Sequence, residues 1–427
     1  MSANHFYALI CAVAVSCPGS LLADDLTRKS GPGTPAEVQL ELGLSSLAKG
    51  DLKAADAAFS ESLKLNPGLV GSMIGKASVA VQKGDTKEAE SYFQQALAKS
   101  PQDPAVQRSW SRYLISQRRF GEAESSLKKA IAMAPKQAAV SYTELGNLYL
   151  INMNKPADAM RSYRSALALD SSFAEAHYGL GSAMATTGDY THAEAEFTAA
   201  EKVVPTDPMP VQARGVAQMM EKNYSGAVQS FTRALALRPD QIPWLMARAE
   251  AYEALGSPNN ALKDYQGCVR VDQKYSPAYV KIGVIYQTQN RFADAQKAYE
   301  SAIAADPKQV FAYNNMAFGL AERKERLDDA LKFANKAVEL EPQAPQYRDT
   351  LAWVRRARGE LDQAARLLEQ VSATNPPQGE FYYHLGIVYS EQGRNAEASA
   401  ALKKALSLGS FGEAEDARQR LARLTAK

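Results

Sequence analysis

The stretch YGLGSAMATTGDYTHAEAEFTAAEKVVP, Tyr178 to Pro205, decides the fold. It contains two segments with apolar residues at helical spacing, YGLGSAMA and YTHAEAEFTAAEKV, parted by the turn-forming TTGD. That arrangement predicts a helix–turn–helix. Pro205 cannot continue a helix, so it marks the connection to the next segment of chain. Aligned on Gly181, Ala193, Phe197, Ala200 and Pro205, the order small, Ala, large apolar, small, Pro recurs along the chain.

The central alanine falls at Ala55, Ala89, Ala123, Ala159, Ala193, Ala227, Ala261, Ala295, Ala330, Ala364 and Ala398. The steps are 34 residues, except for one of 36 and one of 35. About twelve residues before each stands another small residue, from Gly43 and Ala77 to Ala352 and Gly386. A bulky residue follows the alanine by four positions in ten of eleven cases, Phe59 to Leu402. At the exception, Ala334, the neighbouring Phe333 is expected to substitute. Small residues on both helices let the backbones approach, and the bulky residue fills the groove beside them.

A 34-residue period with this pattern resembles the tetratricopeptide repeat family. The resemblance implies an all-α fold, a right-handed α-solenoid of about eleven helix–turn–helix repeats spanning 36–412. The repeats start near 36, 70, 104, 139, 174, 208, 242, 276, 310, 345 and 379. An amphipathic helix over 413–427 is expected to cap the last apolar face. Three places break the pattern of terminal prolines, at Ser171, Gln273 and Ser410. Extra residues are implied near Pro135 to Ala139, Asn152 to Pro156 and Glu322 to Arg326, and are expected in loops.

At 427 residues the chain exceeds one ordinary core, as a repeat array would. Its 49 basic and 47 acidic residues leave a net charge of +2 with no Lys/Arg block, which argues against nucleic acid as a partner. The N-terminal apolar run Phe6 to Val15 is too short to span a bilayer and fits the apolar region of a signal peptide. Cleavage after Ala23 makes 1–23 the leader and 24–35 a linker. A second route stays open, because Ala14-Val15-Ser16-Cys17 loosely resembles a bacterial lipobox with lipidation at Cys17. No basic residue precedes the apolar run, however, and Pro18 follows the cysteine. Either route exports the chain, to the periplasm or outer membrane of a bacterium. Loss of Cys11 and Cys17 with a leader cleaved after Ala23 leaves Cys268 as the last cysteine, with no intramolecular disulfide.

The four histidines are scattered, and HExxH, zinc-ligand spacing, a P-loop and GxSxG are all missing. No enzyme, cofactor or metal is expected. The resemblance implies a scaffold that binds a peptide or partner protein in a concave groove lined by first helices. The fifth and ninth residues of each repeat should face that groove. The Lys/Asn carboxylate clamp of one subset of the family is matched in no repeat. Arg108 and Arg112, with Asn147 one repeat on, read either as a carboxylate receptor or as solvated charges. Tyr178 takes a groove position in the fifth repeat.

Asn314, Phe318, Asp349, Trp353 and Tyr383 combine aromatic anchors with polar companions. They read as a peptide hot spot or as rings packed between neighbouring first helices. The segments containing Asn314-Asn315 and Asp349-Thr350-Leu351-x-Trp353 also resemble C-terminal repeats of exported bacterial tetratricopeptide proteins of exopolysaccharide export or envelope assembly. From this comes an alternative partner, polysaccharide-export machinery, with Trp353 and Tyr383 stacked on glycan.

Overall fold

The computed structural model describes residues 33–374 and 376–425. The expected leader, Cys17 and most of the linker lie outside the described residues. Within them the helices come in pairs. Repeats one to three are α1 (Pro35–Ala48) with α2 (Leu52–Leu65), α3 (Val70–Lys83) with α4 (Thr86–Lys99), and α5 (Pro104–Ser116) with α6 (Phe120–Met133). Repeats four to six are α7 (Ala139–Asn147) with α8 (Pro156–Leu169), α9 (Ala174–Thr186) with α10 (Tyr190–Val203), and α11 (Pro208–Met220) with α12 (Tyr224–Leu237). Repeats seven to nine are α13 (Ile242–Ala254) with α14 (Pro258–Val271), α15 (Ser276–Thr288) with α16 (Phe292–Ala305), and α17 (Val310–Arg323) with α18 (Leu327–Leu340). The last two are α19 (Pro345–Ala357) with α20 (Leu361–Ser372) and α21 (Gly379–Glu391) with α22 (Asn395–Ser407), followed by α23 (Ala414–Thr425). No strand occurs among the described residues.

The chain divides into two compact parts, one ending at Pro239 and one beginning at Asp240. The first holds repeats one to six, the second repeats seven to eleven and α23. Each part is an all-α solenoid, in which a first helix packs on its own second helix and that second helix packs on the next first helix.

Local chemistry sets the helix ends. Asp51, Asp85, Asp189 and Asn223 precede second helices and accept the backbone N–H of Ala54, Glu88, His192 and Gly226. Asp103 and Asp207 do the same for first helices that open with Pro104 and Pro208. After each first helix one residue adopts positive φ: Gly50, Gly84, Arg118, Asn154, Gly188, Lys222, Gly256, Asn290, Lys324, Gly359 or Gly393. A left-handed residue reverses the chain there, which is why glycine recurs in the turn.

The extra residues are absorbed in three different ways. A 3₁₀ turn over Pro135–Gln137 takes the first. The second does not enlarge a loop. It is taken up in the first helix of repeat four as a π-turn over Leu148–Asn152, which adds a residue without breaking the helix. At the third, Arg326 joins Lys324 at positive φ.

All eleven central alanines are buried, none more than 3% exposed. The ring of Phe59 lies between Gly43 of its own repeat and Gly75 of the next; a Cβ on either would stand 2.5 Å from it. Tyr163 is held likewise between Gly146 and Gly179. In repeat nine the expected substitution does not occur. Ala334 itself is fully buried, and Phe333 lies half-buried with its ring 6.1 Å from that of Tyr313. The α23 helix covers α22, burying Ala414 and Ala417, with Phe411, Leu421 and Leu424 packed on the same core.

Gly146→Ala would place its Cβ 2.5 Å from the Tyr163 ring. It is expected to lower stability by roughly 1–3 kcal/mol, read as a lower urea midpoint; an unchanged midpoint would contradict this packing.

Candidate functional site

In the first part, Arg112 reaches across to the next first helix. Its Nε donates to Glu144 Oε1 at 3.1 Å, and Nη2 donates to the same oxygen. Arg108, one turn earlier, is buried. Asn147 is exposed, but its Oδ1 accepts the Tyr163 hydroxyl at 2.7 Å. Tyr178 is half-buried, its ring 5.7 Å from Phe197. An incoming carboxylate would therefore have to compete with Glu144 for Arg112.

In the second part, the residues of repeats ten and eleven form one network. Trp353 is 7% exposed. His384 lies with its ring 4.4 Å from the indole, and the Arg356 guanidinium sits 4.2 Å from the indole centroid. The indole N–H donates to Glu322. Asp349 accepts from His384 Nδ1, at 2.9 Å to each carboxylate oxygen. Tyr383 donates its hydroxyl to Asp416 at 2.7 Å, and Arg420 pairs with the same carboxylate. Trp353 and Tyr383 are thus buried rings with their polar handles already engaged, which leaves little ring surface on which a sugar could stack.

Burial alone would lower the His384 pKa. The Asp349 carboxylate outweighs it, with Glu413 and Glu380 adding to the effect, and the net shift is upward from the ordinary histidine value.

Asn314 and Phe318 differ from that network. Phe318 is half-buried, together with Val280 and Val284 of α15. Phe311, three residues before Asn314 on α17, is 57% exposed. The buried Asn314 Oδ1 has no hydrogen-bond partner among the described residues. Residues 311, 314 and 318 share one face of the helix by their spacing, and α15 packs beside α17. The result is an apolar strip that contains one unanswered acceptor.

Two family models, both described as tetratricopeptide repeat, match the chain. One covers residues 46–109 and 355–409, the other 143–208 and 280–345, together more than half of the chain. The chain belongs to the tetratricopeptide repeat family. Human tetratricopeptide repeat protein 6 is 26% identical over 179 residues, 42% of this chain and 34% of that one. The heat-shock protein cognate co-chaperone sgt12 of Aspergillus fumigatus is 31% identical over 142 residues, 32% of this chain and 41% of that one. The match thus spans a third to two fifths of these relatives' length. A tetratricopeptide repeat protein from Parabacteroides merdae superposes with a TM-score of 0.49 at 22% identity, covering 60% of this chain and 99% of that one. YrrB, described as a TPR protein with an unusual peptide-binding site, gives 0.40 at 23% identity, over 44% of this chain and 96% of that one.

Among the described residues no three His, Cys, Asp or Glu side chains are placed to hold a metal ion, and no helix is long and apolar enough to cross a membrane. Cys268 is a free, fully buried thiol whose pKa burial pushes up to about 12, so it is a packing residue of the tetratricopeptide core. Sequence reasoning missed Glu144, Glu322, His384 and Asp416, which partner the residues it named. Their signal is an offset close to one repeat, as in 112 with 144, 349 with 384, and 383 with 416. Reading one repeat at a time does not show it.

A raised histidine pKa stabilises the fold below the unfolded value of about 6.5, and the contribution is lost as pH rises through the folded value. The melting-temperature gap between the wild type and Asp349→Asn should therefore be widest near pH 5.5 and narrow toward pH 9. A gap that is flat across that range would contradict the pairing.

Proposed function

We propose that this chain is a non-enzymatic, exported interaction scaffold that binds an extended peptide or partner protein along the first helices, centred on α15 and α17. One observation carries the reading: the unanswered Asn314 Oδ1 lies on the helix face that carries exposed Phe311 and half-buried Phe318, beside α15 with its half-buried Val280 and Val284. A buried polar atom left unpaired costs stability, and a ligand N–H would recover it. A peptide lying across the strip would cover Phe311, an aromatic anchor of the kind that dominates binding energy, and donate a backbone N–H to Asn314. The kinship with sgt12, a protein named as a co-chaperone, supports protein partners in general. The glycan alternative has no comparable observation behind it.

A photo-reactive phenylalanine analogue at Phe311 should give a discrete protein adduct in cells of the native host. Asn314→Leu should weaken that partner at least tenfold while leaving the melting temperature unchanged or higher, since about 1.4 kcal/mol corresponds to tenfold. A folded chain that gives no protein adduct from Phe311 would refute the reading.

Export rests on the sequence Phe6 to Ala23. N-terminal sequencing of the protein from its native host should begin at Asp24, and a mature chain that retains Met1 would rule out cleavage.

A further inference from the structure

Within each compact part, the tenth position of a first helix packs on the preceding second helix, as Val79 does on Ala55 and Phe59, Tyr113 on Phe93, Ile285 on Tyr265 and Val388 on Leu368. There it holds Val79, Tyr113, Leu148, Ala183, Ala217, Ile285, Val354 and Val388, each no more than 4% exposed. Repeat nine has Gly319 instead. A Cβ built on Gly319 would meet no other atom within 4 Å, so no close contact demands the glycine, and its φ is not positive. A glycine in the interior of a helix is less stable than alanine. Stability is forgone here without a packing reason.

The missing side chain leaves a cleft of about 150 Å³ between α16 and α17. Phe292, Tyr299, Met316 and Leu320 make its walls, and Gln287 and Asn315 bring amides to it. The Tyr299 hydroxyl donates to Gln287 Oε1 at 2.8 Å, which fixes both side chains. Arg323, its guanidinium 4.3 Å from the centroid of the Phe292 ring, also borders the cleft. Gln296 and Glu325 complete its polar rim, and a volume near 150 Å³ suffices for a group no larger than about a benzene ring.

The protein's own repeats show what such a gap takes most often. Five of those eight positions carry a branched aliphatic residue (Val79, Leu148, Ile285, Val354 and Val388), against two alanines and Tyr113, and both neighbours of repeat nine, repeats eight and ten, are among the five. We propose that the cleft beside Gly319 is a docking site for one branched aliphatic side chain of a partner peptide. The side chain enters from outside where neighbouring repeats supply it from within, and the Gln287 and Asn315 amides are placed to meet the peptide backbone beside it. The site is separate from the Phe311–Asn314 strip, so the two readings fail separately.

The test uses the full chain labelled with ¹³C at the methionine methyls, with the Met316 signal as reporter. Probes are the capped peptides Ac-Ser-Gly-X-Gly-Ser-NH2 with X as Leu, Gly or Lys. A saturable Met316 shift is expected for Leu, at least tenfold weaker for Gly and Lys. Gly319→Val should abolish the shift, melt no lower than the wild type, and leave a Phe311 crosslink intact; Gly319→Ala should weaken binding with the fold retained. No shift with the Leu peptide, equal shifts with the Gly peptide, or a shift that survives Gly319→Val would overturn the proposal.

Discussion

One contact carries the architecture: the face where a second helix meets a first helix, built from small residues and, in every repeat but the ninth, one large side chain between, a ring in seven of the eleven. Phe59 against Gly43 and Gly75, and Tyr163 against Gly146 and Gly179, leave no room for a single added methyl. Because the second glycine of each set belongs to the next repeat, one ring joins two repeats as well as two helices. Dense packing of this kind fixes helix separation closely, and errors in it are not absorbed locally. A repeat array then grows by nearest-neighbour contacts alone.

That constraint explains what the sequence shows and what it hides. Residues the stacking contact requires recur every 34 or so positions, so Ala193, Phe197 and Gly181 could be read directly, along with their counterparts. The turn was legible where glycine fills it, as at Gly188, and not where Arg118, Lys222 or Lys324 takes the left-handed position. How an extra residue is absorbed depends on the packing of a whole helix against its neighbours, so the π-turn at Leu148–Asn152 carries no local signature. The same limit applies to Ala334, where a ring one position early packs beside Tyr313 and does not enter the slot. The break between compact parts at Pro239 and Asp240 leaves no mark in the spacing of the alanines.

The residues proposed from sequence to form the site divide along the same line. Arg112, Asp349, Trp353 and Tyr383 take positions on the first helices, but each is met by a partner one repeat away: Glu144, His384, Glu322 and Asp416. In satisfied networks like these, the buried groups rigidify the contact between successive first helices. Asn314 and Phe311 are different: no neighbour answers the buried amide oxygen, and the Phe311 ring, edge-on to Tyr347 at 6.4 Å, stays 57% exposed. Local choices that lose stability with no gain in packing tend to coincide with function. Gly319 carries no signal of its own in the sequence, because the tenth position of the repeat holds no fixed residue type and ranges from Ala183 to Tyr113.

The central claim is that stacking residues hold the fold and that the Asn314 amide and the exposed face of Phe311 on α17 are free of that duty. A proteolysis-based stability scan of every single substitution in the full chain tests it most directly. The account predicts that Ala193 and Ala227 tolerate nothing larger, while substitutions at Phe311 are neutral and Asn314→Leu is neutral or stabilising. If Phe311 and Asn314 prove as intolerant as Ala193, they belong to the packing and the account is wrong.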